Sequence, residues 1–201
     1  TIAALDQSGI RVCAGHTAGS YDDLQKALAE GLSGFTHLFN AMTPMDSRAP
    51  GVVGAALDDD ATWCGLIIDG HHIHEATLRS AIKAKAAGKM MLITDAMPSV
   101  GSDLRTFDLY GRTITVSEDR CTAEDGTLAG SHLDMATAVR NTATKVGLPL
   151  EEALRMASLY PAHFLGLDEQ RGRIATGFRA DFALLDDDLT VTKTWIEGND
   201  T

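Results

Sequence analysis

Four polar residues stand where apolar runs stop: His16 after IRVCAG, His37 after SGFT, His72 after WCGLIIDGH and Asp95 after KMMLIT. Imidazoles and one carboxylate at the ends of buried strands suit a metal-dependent hydrolytic site assembled from several strands. A neutral imidazole lends a ring-nitrogen lone pair to zinc or another borderline metal, while its other ring nitrogen is oriented by an acceptor. The 21-residue separation of His16 and His37 fits one strand-helix-strand step, which would stand both at the same end of adjacent strands. Either histidine alone reads equally well as a strand-end surface group or a hydrogen-bonded core group. Their matched positions favour the pair as ligands. Two nitrogens do not complete a catalytic site, which usually has three protein ligands and an open position.

Asp95 is the candidate general acid and base. A carboxylate beside a metal-activated water can take its proton during attack and return it to a leaving nitrogen or oxygen. The alternative is a helix or turn cap, for which TDAMPS has the composition. In the tract His71, His72, His74, one ring could polarise a carbonyl or hold a substrate hydroxyl, His74 could occupy the first turn of a helix, and a surface loop also fits. Spacing favours His72. Arg48, in SRAPG, could pair with a phosphate through its planar donor fork, or be an ordinary loop arginine.

The elements that would carry these groups alternate. IRVCA at 10–14 reads as a strand, and YDDLQKALAEGL as a helix capped by Ser20, with Asp22 and Asp23 in the favourable first turn. A second short strand, GFTHL, is followed by a loop, NAMTPMDSRAPGVVG, and by the apolar run WCGLIID at 63–69. The next helix has Ala76, Leu78, Ala81 and Ile82 at helical intervals between Arg79, Lys83 and Lys85, with Gly88 ending it. KMMLIT is the fourth strand. This rhythm is that of a parallel sheet with crossover helices.

Residues 107–130 change character, with alternation around Thr113–Ser117 and turns at Tyr110-Gly111 and Asp125-Gly126. They read as an inserted β-hairpin. Helices are expected at about 133–145 and 149–158, the second with Glu151 and Glu152 in its first turn, and a short one near 161–165. RIATG, ADFALLD and TKTWIEG in the tail read as small strands. Trp63 and Trp195 read as packing anchors, Met42 and Met45 as possible pocket walls, and Cys13 as a buried thiol.

With 201 residues and a formal net charge of −11, the chain has room for a sizeable core and no charge pattern for a nucleic-acid or anionic-membrane surface. A local positive pocket for a phosphorylated small molecule remains compatible with that charge. No apolar stretch has the length of a membrane span, and no secretory signal is visible. Three scattered cysteines, Cys13, Cys64 and Cys121, suggest free thiols in a reducing compartment, by default the cytoplasm. No P-loop, dinucleotide fingerprint or Gly-x-Ser-x-Gly elbow occurs.

AGHT around His16, THLFNAM around His37, IIDGHHI around His72, LITDAM around Asp95, GTLAGSHLDM from Gly126 and the tail GRIATGFRADFALLD together resemble the N-acetylglucosamine-6-phosphate deacetylases of the amidohydrolase superfamily. The likeness runs through essentially the whole chain, in order. It implies an α/β fold: a partial (β/α)8 TIM barrel, its strands resembling the fifth to eighth, over 1–168, and part of a small β domain over 169–201. It further implies His16 and His37 as metal ligands, Asp95 as acid/base, His72 on the sugar, Asn40 and Ala41 holding the phosphate with Arg48, and Leu128 in the acetyl pocket. His71 stands where family members often have an apolar residue. The implied cofactor is a divalent metal, zinc first, with iron(II) or another ion as alternatives. The implied partners are a phosphorylated N-acetyl amino sugar and, in the complete enzyme, a second copy in a homodimer.

The same resemblance places the first four barrel strands, a glutamate ligand and a carbonyl-polarising histidine before Thr1. Four strands cannot close an eight-stranded barrel. The chain then reads as part of a longer enzyme, as one of two chains sharing the site, or as an isolated half in an unusual assembly. The remaining alternatives are another amidohydrolase acting on a cyclic or linear amide, and a noncatalytic half-barrel interaction module.

Overall fold

The computed structural model describes residues 1–200. Helix α1 (Ile2–Gln7) leads into β1 (Val12–Ala14), α2 (Tyr21–Ala29), β2 (Leu32–Phe35), α3 (Gly51–Asp58), β3 (Trp63–Ile67), α4 (Glu75–Ala84) and β4 (Met90–Ile93). The four strands form one parallel sheet in the order β1-β2-β3-β4. All four strands therefore leave the sheet along the same rim. Parallel strands covered by helices bury both faces, and β3 does so with Cys64, Leu66 and Ile67 fully inaccessible.

Local chemistry explains the helices. Ser20 Oγ accepts the Asp23 N–H at 3.2 Å while the Asp23 carboxylate accepts the Ser20 N–H at 3.1 Å, a capping box that starts α2. His74 is the N-cap of α4, its Nδ1 accepting from the Ala76 N–H at 3.2 Å. That helix stops at Lys85, before the expected Gly88.

The expected loop at 40–54 is corrected at its end, because residues from Gly51 onward are helical and buried through Ala56. Small side chains let α3 sit against the sheet, and its start is tied down by Thr43, whose hydroxyl accepts the Val52 N–H at 2.8 Å and donates to Gly19 O at 2.9 Å. This one side chain joins the loops that follow β1 and β2.

The single hairpin expected over 107–130 is instead a four-stranded antiparallel meander of β5 (Thr106–Leu109), β6 (Arg112–Ser117), β7 (Arg120–Ala123) and β8 (Leu128–Ser131). Ile114, Val116, Cys121 and Ala123 alternate inward to form its own small core. The overlooked turn is Glu118-Asp119, where Glu118 adopts φ +51° without glycine or asparagine to announce it.

Next come α5 (Met135–Asn141), a π-helical turn over Thr142–Val146, α6 (Leu150–Ala157) and α7 (Leu159–Leu165). Thr142 and Thr144 each return a hydroxyl to the carbonyl four residues back, at 2.7 Å, where the helix widens. The tail forms β9 (Phe182–Leu185), β10 (Val191–Ile196) and β11 (Asn199–Asp200), an antiparallel sheet in the order β11-β10-β9. RIATG, expected as a strand, is irregular. Trp63 begins β3, at the end away from the exit loops, and packs on Tyr160 and Phe164 of α7 with ring centroids 6.4 and 6.2 Å away.

Lys85, which its spacing assigned to a polar helix face, is 4% exposed. Its ammonium donates to Ala56 O at 2.7 Å, to Asp59 O and to Thr62 Oγ1 at 3.2 Å, clamping the end of α4 to the turn between α3 and β3. Burial lowers its pKa, and the three acceptors offset the loss of water. Lys85→Met keeps the apolar stem but leaves buried carbonyls without a donor. We expect a loss of about 2–4 kcal/mol in urea unfolding; an unchanged midpoint and slope would dismiss the clamp.

Candidate active site

His16, His37 and Asp95 occupy one structural position. Each lies two residues beyond the last residue of its strand, β1, β2 and β4, and each has positive φ, +44°, +21° and +52°. The left-handed backbone turns the chain out of the sheet just where the side chain is presented. Such conformations cost energy in non-glycine residues and persist where surrounding bonds enforce them.

Those bonds are visible. Thr36 N–H donates to Ala14 O of β1 at 2.9 Å, and Leu38 N–H donates to Gly65 O of β3 at 2.9 Å, so the backbone on either side of His37 is held by both neighbouring strands. Gly15 allows the chain before His16 to lie against Thr36; a Cβ there would come within 2.1 Å of the Thr36 hydroxyl. His16 and His37 consequently meet edge-to-face, ring centroids 4.8 Å apart and planes at 77°. His16 is exposed, whereas His37 is half-buried with its Nδ1 lacking any hydrogen-bond partner among the described residues. A buried ring nitrogen without a partner beside a second imidazole fits two ligands of a metal. Among the described residues no group of three His, Cys, Asp or Glu side chains could hold an ion by itself.

Asp95 is exposed, and its backbone is fixed from the meander. The Ser131 N–H donates to Asp95 O at 2.8 Å, the Ser131 hydroxyl donates to Thr94 O, and the Met97 N–H donates to Ser131 O at 2.9 Å. Leu128, half-buried on the same short strand β8, is thereby carried to the Asp95 edge of the sheet.

Asp69 is the residue that the sequence reading passed over. It stands two residues beyond β3, at the same offset as the other three, and is 6% exposed. One carboxylate oxygen accepts the N–H groups of His71 and His72, each at 2.9 Å, and the other lies 2.6 Å from His72 Nδ1. Gly70, at φ +92°, permits this tight return. The Asn141 side-chain amide donates to Ile68 O at 2.9 Å and anchors the loop from α5. His72 is thus tethered at the rim of the sheet. His71 points elsewhere: its Nε2 is 2.8 Å from an Asp119 carboxylate oxygen in the β6-β7 turn, a close contact not aligned as a hydrogen bond.

Arg48 is exposed and makes no ion pair among the described residues. It lines a cleft of about 540 Å³ between the loops after β1 and β2, together with Ser20, Asp22, Thr43 and Asp46. Asn40 gives its side-chain amide to His37 O at 3.2 Å and Leu38 O at 3.3 Å, and its backbone N–H to His37 O at 3.0 Å, so it builds the turn after His37. Ala41 is exposed there with φ +50°. Burial raises the pKa of the Cys13 thiol and pushes that of Cys64 up to about 12, which disfavours the nucleophilic thiolate at both.

A sequence profile of the Amidohydrolase family matches residues 3–200. The chain belongs to the amidohydrolase family. This amidohydrolase chain is 42% identical over 197 residues to an N-acetylgalactosamine-6-phosphate deacetylase of Shewanella sp. (strain ANA-3), which is 98% of the chain and 50% of that relative. It is 36% identical over 195 residues to an N-acetylglucosamine-6-phosphate deacetylase of Haemophilus influenzae, 96% of the chain and 51% of the relative. The crystal structure of N-acetylglucosamine-6-phosphate deacetylase from Pasteurella multocida superimposes with a TM-score of 0.96 at 38% identity, covering 100% of this chain and 52% of that one. The amidohydrolase chain spans about half the length of the curated relatives it matches. Its parallel sheet with two antiparallel sheets is accordingly a partial (β/α)8 barrel with accessory β structure.

Burial acts to raise the Asp69 pKa, but hydrogen bonds from the His72 ring and from the His72 and His71 N–H groups outweigh it, bringing the carboxyl from 3.8 to about 2. A depressed carboxyl contributes stability that is present above its unfolded value and lost as pH falls through its folded value. Asp69→Asn should therefore flatten the fall of stability between about pH 4 and pH 2. Urea unfolding of both proteins across that range provides the check, and equally steep acid limbs would refute it.

Proposed function

We propose that the full-length protein hydrolyses the acetamide of N-acetylglucosamine 6-phosphate to glucosamine 6-phosphate and acetate, with this chain supplying part of the site. The observation that carries the reading is the common strand-end placement of His16, His37 and Asp95, two imidazoles edge to face and a carboxylate on the same rim.

In this reading His16 and His37 hold a divalent metal, zinc by preference because imidazole donors suit it, although iron(II) and other ions accept the same ligands. A bound divalent ion supplies Lewis-acid polarisation of the acetamide carbonyl and makes water acidic at neutral pH. Asp95 takes the water proton as the carbonyl carbon is attacked, then gives it to the amine nitrogen as the C–N bond breaks. His72 contacts the sugar. Arg48, free of ion pairs among the described residues, meets the 6-phosphate beside Asn40 and Ala41; for the Asn40 amide to join, it must leave the carbonyls of its own turn. Leu128 closes on the acetyl methyl. The reading includes the rest of the barrel, a homodimer when complete and a cytoplasmic location, for which the free thiols speak. Among the described residues no helix is long and apolar enough to cross a membrane.

The galactosamine epimer is the second reading, favoured by the 42% identity to the Shewanella deacetylase. Acetate release by the full-length enzyme from each epimer tests both. Faster, metal-dependent turnover of the glucosamine compound is expected, no release from either would end the deacetylase reading, and the 201-residue chain alone should be inactive. Arg48→Ala in the full-length enzyme should raise KM for the phosphorylated sugar about tenfold or more, since a charge-assisted contact is worth about 1.5–3 kcal/mol. An unchanged KM would remove Arg48 from the phosphate site.

A further inference from the structure

The geometry points to Asp69 as a positioning residue that fixes His72 in its Nδ1–H form, so that Nε2 is presented to the substrate as a hydrogen-bond acceptor. The assignment rests on the proposed contact of His72 with the sugar and adds the polarity of that contact. An ionised carboxylate has no proton to give, so the proton between Asp69 and His72 belongs to Nδ1, 2.6 Å away. The carboxylate is itself fixed through its other oxygen, which accepts two backbone N–H groups, and the loop is held by Asn141 on Ile68. Side-chain exposure is 6% for His72 and 3% for Asp69, so water cannot easily replace either partner. With its single proton held on Nδ1, the ring offers Nε2 as a lone pair; a second proton, on Nε2, would remove that acceptor. Its partner is a substrate donor, a sugar hydroxyl, and not the acetamide carbonyl, which offers only lone pairs.

Asp69→Asn is nearly isosteric and can keep both backbone bonds through its amide oxygen. Its amide nitrogen, however, is a donor facing Nδ1, which drives the ring proton to Nε2 and converts the presented acceptor into a donor. The comparable carboxylate-to-amide change beside a catalytic histidine in serine proteases leaves geometry intact and lowers turnover by about 10⁴ through the wrong tautomer. A contact to one hydroxyl demands less, and we expect kcat/KM for the phosphorylated amino sugar to fall about tenfold to a hundredfold, with metal content unchanged.

The experiment is ring-nitrogen NMR of the full-length enzyme labelled with 15N-histidine, with the His72 signals assigned by their loss in His72→Gln. The neutral ring should carry its proton on Nδ1 in the parent and on Nε2 in D69N, alongside the fall in kcat/KM. A parent ring protonated on Nε2, alone or as the imidazolium, overturns the assignment, as does D69N with the parent's tautomer or with kcat/KM within twofold of the parent. If D69N does not fold, the parent tautomer alone decides. An Nδ1–H ring in an enzyme that turns over neither epimer would end the deacetylase reading and leave Asp69 as the group that orients His72.

Discussion

The strand-end candidates all depend on the parallel ladder. Parallel pairing sends each strand out along the same rim, so a residue at a fixed distance beyond each strand end shares a level with its counterparts. His16, His37, Asp69 and Asp95 all lie two residues past the last ladder residue of their strands. Their chemistry differs, but their height above the sheet is set by the same hydrogen-bond network. The positive φ of His16, His37 and Asp95 is the local cost of leaving the sheet at that level, and cross-strand bonds from Thr36, Leu38 and Ser131 hold it.

Support for the rim comes from outside the strands. Thr43 joins the exits of β1 and β2 through Gly19 and Val52, Asn141 fixes the exit of β3, and Ser131 fixes the exit of β4. Each is a short polar side chain satisfying backbone groups that the ladder leaves unpaired where it ends. The meander is therefore more than an appendage. Its last strand holds the Asp95 backbone, and its Asp119 turn engages His71, which separates the two adjacent histidines into one that faces the meander and one tethered by Asp69.

Much of this is legible in the sequence. The strands and most helices follow from apolar periodicity and capping residues, and His16, His37 and Asp95 stood out because each interrupts an apolar run. Asp69 was not legible for the opposite reason: it reads as the polar end of WCGLIID, and its role depends on a return loop that brings His72 back onto it. Helix α3 was hidden by glycine and proline, residues that ordinarily argue for loops, although small side chains are what its close packing requires. Lys85 is misread from helical spacing, which places it beside solvent-facing Lys83, whereas the acceptors of its ammonium, two carbonyls and the Thr62 hydroxyl, belong to α3 and the following turn, 23 to 29 residues earlier. Glu118-Asp119 lacks the residues that usually mark a tight turn, and the meander was therefore counted two strands short.

Sheet geometry also explains why these residues would make only part of the proposed metal site. His16 and His37 leave adjacent strands and touch, but Asp95 leaves β4, three strands from β1. At about 4.8 Å between neighbouring strands, their exits are separated by roughly 14 Å along the sheet. No rotamer of aspartate spans that distance. Convergence has to come from curvature: when a parallel sheet closes into a barrel, tilt and stagger turn the rim into a ring whose side chains face a common centre. β1 and β4 are the two edges of this sheet, so additional strands joining them would do two things at once. They would pair the open ladders and supply ligands on the far side of the ring, facing His16 and His37. Closing the barrel and completing the proposed metal site would then be one structural event.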